Sequence, residues 1–265
     1  MRITKIVGAC VPLLLLVGCS GGDGQAVAPP AVKPASASTS TSTDAVAARF
    51  VAGVARADLD GMRELVALTS PNSPARAYVD YLTAFVEAET ALGKPPATGT
   101  FHRDDGPGML TACRRMAGDP RPCTVCSKIA YDVEGRLSAF DVDGQPVRTV
   151  IARGGPAQQV RGATAQVLGA YRDALNGTVT VVYKVTNGTA LTLSVAYPSA
   201  ELVSGETRHV STGGLGPDTV PAGADVIFLS RFDAQDPTGT FQVEVDDANG
   251  GSPLGDAALT LVPVP

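Results

Sequence analysis

Six side chains of this sequence combine types that can carry acid–base, thiol or metal chemistry. His102, Asp104 and Asp105 stand together in the stretch HRDDGPG. An imidazole beside two carboxylates supplies the parts of a general acid–base pair, because histidine titrates near neutral pH. The glycine–proline surroundings read as a polar turn, which would leave the same groups solvated. These three are the weak pocket candidates, and no catalytic residue is assigned. Cys113, Cys123 and Cys126 form the second group. A Cys-x-x-Cys pair means redox or metal chemistry in a reducing compartment and a disulfide in an oxidising one. His102 and the three cysteines make four zinc donors on count, without the paired spacing of a structural zinc site. The compartment therefore decides how these thiols are read.

The amino terminus speaks to the compartment. Arg2 and Lys5 precede an apolar run from Ile6 to Val17, broken only by Pro12. That run is shorter than the roughly 20 residues a membrane-crossing helix needs. A cationic start, a short apolar centre and a small residue at its end describe a secretory signal peptide. The run closes on LLLLVGCSGG, residues 13–22. Its segment Leu16-Val17-Gly18-Cys19 resembles the lipobox of bacterial lipoproteins, of the Gram-positive, actinobacterial type. The resemblance implies a signal peptide at 1–18, cleavage before Cys19 and a diacylglyceryl group, with palmitate-like chains, on its sulfur. A plain leader with an incidental cysteine is the other reading, and Cys10 shows that one can occur there. Two acyl chains hold a protein stably where a single chain does not, at about 0.8 kcal/mol per buried methylene. The expected place is the outer face of the cytoplasmic membrane, in the cell envelope.

Residues 19–43 follow as the lipidated cysteine and a linker. SGGDGQAVAPPAVKPASASTSTST holds no aromatic, Leu or Ile. Such a composition cannot bury enough surface to offset its ordering entropy. A flexible coil of this length spans on the order of 25–30 Å.

From about 44 the signals become helical. Val46, Phe50, Val51 and Val54 recur at helical spacing behind Thr43 and Asp44 as caps. A second helix is expected over Asp58–Leu68. Ser73-Pro74 offers a cap with proline at the first helical position, and Tyr78, Tyr81, Leu82, Phe85 and Val86 form the stripe of a third. Gly93, Pro95 and Pro96 end it. Alternation then appears in Ile129, Tyr131 and Val133, in residues 136–142, and in Val147, Thr149 and Ile151, with turns at Glu134-Gly135 and Asp143-Gly144. Helices followed by an antiparallel meander give an α+β domain over 44–155, its helices packed on one face of a curved sheet. The segment SKIAYDVEGRLSAFDVDGQPVRTVI looks like the back half of an NTF2-like cone. That resemblance implies a sheet wrapped around a pocket, catalytic in some members of the fold and a packing surface in others.

With an oxidising compartment expected, one disulfide is expected too. In a strand over 122–132, Cys123 and Cys126 would point to opposite faces, so only one can meet Cys113. Cys113 and Cys123 flank RRMAGDPRP and are the favoured pair, with Cys126 the alternative partner. Closing a loop of this size stabilises by about 2.5–3 kcal/mol in the chain-entropy model.

Residues 162–265 read as all-β. Val179, Val181, Tyr183 and Val185 alternate with polar residues, and further strands fit 163–172, 191–195, 201–210, Val226/Phe228, Phe241/Val243/Val245 and Leu259/Leu261. About seven turn-punctuated strands argue for an antiparallel β-sandwich. VTVVYKVTNGTALTLSV, VPAGADVIFLSRFD and TGTFQVEVDD resemble the immunoglobulin-like, telokin-like sandwiches of secreted Gram-positive envelope proteins, a likeness of architecture only.

Charge is uneven. Residues 44–161 carry 14 basic and 14 acidic side chains, whereas 162–265 carry 4 and 11, a net of −7. The overall charge of −5 argues against nucleic acid. DAQD at 233–236 and DDAN at 246–249 could attract calcium, but neither matches the twelve-residue calcium loop. GxSxG, HExxH, Walker and GxGxxG motifs are absent, and only His102 and His209 offer imidazoles. The expectation is a membrane-anchored lipoprotein that binds rather than catalyses, with no cofactor or metal. Its partner would be an envelope protein, a cell-wall polymer or a small apolar ligand. A pocketed enzyme or apolar carrier in the α+β domain is the alternative.

Overall fold

A computed structural model describes residues 38–94, 98–103, 109–115, 124–250 and 254–265. Three helices come first: α1 (Ser38–Arg56), α2 (Leu59–Leu68) and α3 (Pro74–Ala91). Helix α1 buries Phe50, Val51 and Val54 of the stripe expected from the sequence, with Ala47 beside them, and leaves Val46 half-buried. It starts at Ser38, however, six residues before Asp44, and takes in the end of the Ser/Thr run. Once a nucleus exists, each added residue gains a hydrogen bond. A helix anchored by Phe50 and Val51 can therefore extend back through residues of middling propensity. Asp58 caps α2 by accepting from the Gly61 amide at 2.5 Å. Ser73 caps α3 by accepting from the Arg76 amide at 3.1 Å, with Pro74 at the first helical position. Gly93, at φ +67°, follows the helix end in a left-handed conformation that glycine adopts without strain.

The smaller sheet runs β1 (Thr98–Arg103), β2 (Leu110–Arg115), β3 (Thr124–Tyr131), β4 (Leu137–Val142) and β5 (Gln145–Pro146) in that spatial order, all antiparallel. Asp143 and Gly144, at φ +50° and +78°, turn β4 into β5 as an Asp-Gly hairpin should. The strand expected over Val147–Ile151 is corrected by a helical turn, α4 (Val147–Val150). Val147 and Val150 are both fully buried, and a spacing of three suits one face of a turn and not a strand. Thr149 secures it by donating to the Pro146 carbonyl at 2.8 Å.

The larger sheet has twelve strands: β6 (Ile151–Gly154), β7 (Gln158–Val160), β8 (Ala163–Asp173), β9 (Thr178–Asn187), β10 (Leu193–Val195), β11 (Glu201–Ser204), β12 (Thr207–Val210), β13 (Gly213–Leu215), β14 (Thr219–Val220), β15 (Asp225–Phe232), β16 (Gly239–Asp247) and β17 (Gly255–Pro263). Its main path is β12-β11-β16-β17-β6-β8-β9-β15-β13, antiparallel throughout. The path bends far enough for non-neighbouring strands to face each other. The Tyr183 ring of β9 lies 4.7 Å from the Phe241 ring of β16. The side chains between them make one core, with Phe228, Phe232, Leu202, Val243 and Leu259.

A second core joins the helices to both sheets. Phe50, Tyr78, Phe140, Leu137 and Val150 belong to it, and so do Val182 of β9, Leu229 of β15 and Val264. Strand β9 shows why: Val179, Val181, Tyr183 and Val185 face the sheet core, while Val182 faces the helices. The strands in the middle of the large sheet are buried on both faces, and α3 covers the back of β8 and β15. The interval 155–161 falls between β6 and the start of β8, inside the larger sheet. The described residues form one compact unit. Helices followed by mainly antiparallel strands are what the sequence led us to expect.

Candidate functional site

Asp104, Asp105, Cys19 and Cys123 lie outside the described residues. His102 has its backbone in β1, opposite Thr111, and Cys113 in β2, opposite Thr100. The described parts of the two groups thus come from neighbouring strands of the small sheet. Cys126 in β3 is a free thiol, 1% exposed, packed in the helix-side core. Burial, with Asp143 close by, pushes its pKa up to about 12. The protonated thiol behaves there as a small apolar residue. Among the described residues no three His, Cys, Asp or Glu side chains group as a metal site. In DAQD, Asp236 accepts from the Thr238 amide and hydroxyl at 2.8 and 2.7 Å. In DDAN, Asp247 accepts from the Asn249 amide at 2.9 Å. Both carboxylates are engaged in local turns.

Tyrosines cluster where α3 meets β8. The Tyr171 ring stands 5.6 Å from that of Tyr78 and 5.5 Å from that of Tyr81. Burial raises the Tyr171 pKa, and the Tyr78 hydroxyl and the Asp143 and Asp173 carboxylates raise it further. Asp143 is itself raised by burial, although its carboxylate accepts from the Val125 amide at 2.8 Å. Neutral phenols packed on one another in this way hold the helix against the sheet, and they are core, as the stripe Tyr78–Tyr81 suggested.

A concave site opens a turn away, between α3 and the larger sheet. Ala77, Asp80, Arg153, Gly154, Gln166, Val167 and Leu168 line a cleft of about 190 Å³. Three local features create it. Strand β6 pairs with β8 only at Ile151–Tyr171 and Ala152–Ala170, and β7 resumes pairing at Ala165. Between those points β8 carries a bulge from Val167 to Gly169, which bends the strand and lets the side chains there diverge. Gly154 comes so close that a Cβ would collide with the Val167 carbonyl oxygen. The opening is polar at its rim. Arg153 donates through Nη2 to the Ser73 carbonyl at 3.0 Å, and Asp80 accepts from Arg76 Nε at 3.1 Å.

The sequence reading did not find Asp80, Arg153 or Gln166. The Gly154-Gly155-Pro156 run was the available signal, since paired glycines mark a close backbone approach beside a strand. No family model matches the chain, and no curated protein matches it. Among solved structures, a functionally unknown protein from Listeria monocytogenes EGD-e shares 12% identity with it, over 43% of this chain and 84% of its own, at a TM-score of 0.29.

Proposed function

We propose that this protein is a lipid-anchored binding module on the outer face of the cytoplasmic membrane, without catalytic activity of its own. One observation carries the reading: the apolar run Ile6–Val17 ends on Leu16-Val17-Gly18-Cys19, ahead of a Ser/Gly/Pro-rich stretch. Lipid on Cys19 supplies the membrane attachment. Among the described residues no helix is long and apolar enough to cross a membrane. We assign binding to the cleft between α3, β6 and β8, and the partner to the components of the envelope.

For the finer architecture, we read the curled sheet as an immunoglobulin-like sandwich and the helices with the small sheet as an NTF2-like layer. The burial of Tyr183 of β9 against Phe241 of β16, across the curl of the sheet, supports the first reading. The packing of Phe50 and Tyr78 on Phe140 of β4 supports the second. We also read Cys113 and Cys123 as a disulfide, because Cys126 is buried as a free thiol and leaves those two to each other.

Replacing Cys19 by Ala in the full-length chain should release the protein from membranes into the medium. Membrane retention of the Cys19→Ala protein would refute the anchor. Non-reducing peptide mapping should return one bridge involving Cys113, and three unmodified thiols would remove it.

A further inference from the structure

Three of the four asparagines in the chain, Asn176, Asn187 and Asn249, are followed by glycine. That dipeptide has a chemistry of its own. The glycine amide nitrogen attacks the side-chain carbonyl carbon of the asparagine, closing a cyclic imide and expelling ammonia. Water then opens the ring at either carbonyl. One opening gives aspartate; the other gives isoaspartate, in which the chain runs through the side-chain carbon. Each conversion takes up one water, releases one ammonia and needs no redox partner. Glycine favours it because no Cβ shields the attacking nitrogen. The step requires an asparagine side chain that can turn back on the backbone and a glycine nitrogen with room around it.

The fold treats the three sites differently. Asn187 is fully buried, and its amide is tied to the Leu191 and Val220 carbonyls and to Thr189. Its glycine is crowded as well. Gly188 donates to the Gly162 carbonyl at 3.1 Å, and a Cβ on Gly188 would stand 2.6 Å from that oxygen. Asn176 and Asn249 are exposed, the first in the turn between β8 and β9 and the second just after β16. Each side-chain amide is held by a single bond, from Asn176 Nδ2 to Asp173 at 2.6 Å and from Asn249 Nδ2 to Asp247 at 3.3 Å. A Cβ on Gly250 would meet nothing within 4 Å, and one on Gly177 only the Gln235 amide at 3.4 Å. The Gly177 and Gly250 amides donate to the Asp173 and Asp247 carbonyls at 2.9 and 3.1 Å, within exposed turns of the kind that open at little cost. We infer that Asn176 and Asn249 are sites of spontaneous conversion to aspartate and isoaspartate in the folded protein, whereas the fold shields Asn187. At Asn176 the product changes more than charge. The Asp173 carboxylate loses the amide that now donates to it and meets a like charge instead. Isoaspartate also lengthens the backbone of a turn whose register sets Asp173 opposite Thr178, which loosens the β8–β9 hairpin.

The test needs no variant, because the three sites share one dipeptide and serve as one another's controls. The full-length protein in detergent is aged in mildly alkaline buffer, one portion folded and one in denaturant. Samples taken over time are digested and mapped by mass spectrometry. The mass gain of amide-to-acid conversion and the separate elution of isoaspartyl peptides report each site. For every site the rate in the folded protein is divided by its rate in denaturant, which removes the influence of neighbouring sequence. The ratio for Asn187 should lie at least about ten-fold below those for Asn176 and Asn249, since a buried amide reacts only when its surroundings open. Equal ratios at the three sites would overturn the inference. So would exposed sites that stay intact in the folded protein for as long as Asn187 does.

Discussion

The helix-side core and the sheet core bury their side chains by different rules. Around α3 the rings of Phe50, Tyr78, Phe140 and Tyr171 meet steeply inclined, at centroid distances of 5.3–5.6 Å, among small residues such as Ala75, Ala77, Ala84 and Ala88. Within the curled sheet the rings of Tyr183, Phe228, Phe232 and Phe241 lie among β-branched valines, and a fully buried amide stands at one end. Helix α3 is buried on almost every face, which requires small residues wherever two layers press on it. The sheet core has only strand faces to fill, and branched side chains stack well on a pleat. The two cores are nevertheless neighbours through one strand, since Val182 and Tyr183 of β9 belong to different ones.

That comparison can be broken most severely at Phe241. It is fully buried against Tyr183 and Phe232, and Phe241→Ala should cost about 3–5 kcal/mol in a denaturant titration. Because β9 serves both cores, the variant should still unfold in a single transition. Separate transitions for helix and strand signals would show the cores to be independent.

Asn187 is the amide at the end of the sheet core. Its Nδ2 donates to the Leu191 and Val220 carbonyls at 2.8 and 2.9 Å, and its Oδ1 accepts from the Thr189 amide and hydroxyl at 3.0 and 2.7 Å. Asn187→Ala should lower stability by about 1–3 kcal/mol, because the buried Val220 carbonyl loses its donor and three half-buried bonds go with it. A loss as small as that of a surface substitution would count against this amide as a structural link.

On the helical side, Ser73→Ala removes the α3 cap and should cost about 1 kcal/mol, read from the shift in the denaturation midpoint. A sheet-core variant combined with it should add nearly independently.

The smallest effect is acid-dependent. Asp132 has its pKa lowered to about 2, chiefly by the backbone amide of Arg136, with help from Ser70, the Arg136 side chain and the Glu134 amide. A lowered folded-state pKa contributes stability above the unfolded value near 4, and that contribution fades as pH falls from about 4 towards 2. Asp132→Asn should flatten this limb of the stability–pH curve, and solvent screening around the half-buried carboxylate keeps the change slight.

The caps explain why the helices were legible in the sequence. Ser73-Pro74 is local chemistry, settled by a residue three positions away, and α3 begins where it indicates; Asp58 caps α2 in the same local way. The alternation of Val179, Val181, Tyr183 and Val185 was legible for a similar reason, since it reports a pleat with one face in a core. What failed was decided at longer range. Val147 and Thr149 alternate like a strand, yet the need to bury Val147 and Val150 together makes a helical turn. The start of α1 hid in a Ser/Thr run that only a packed helix can hold in register. Asp80, Arg153 and Gln166 belong to three separate elements, and only the crossing of β6, β8 and α3 brings them to one opening.

The position of β17 has a consequence for the order of events during folding. It lies between β16 and β6, and Leu261 pairs with Gly154, 107 positions earlier. Hairpins such as β8–β9 can zip locally, but this seam must wait for a distant segment to arrive, and pairings of that separation are slow. Until the β16–β17 hairpin docks on β6, β6 and β17 present bare backbone edges to any passing chain. The interval before that docking is when this molecule is most exposed to aggregation.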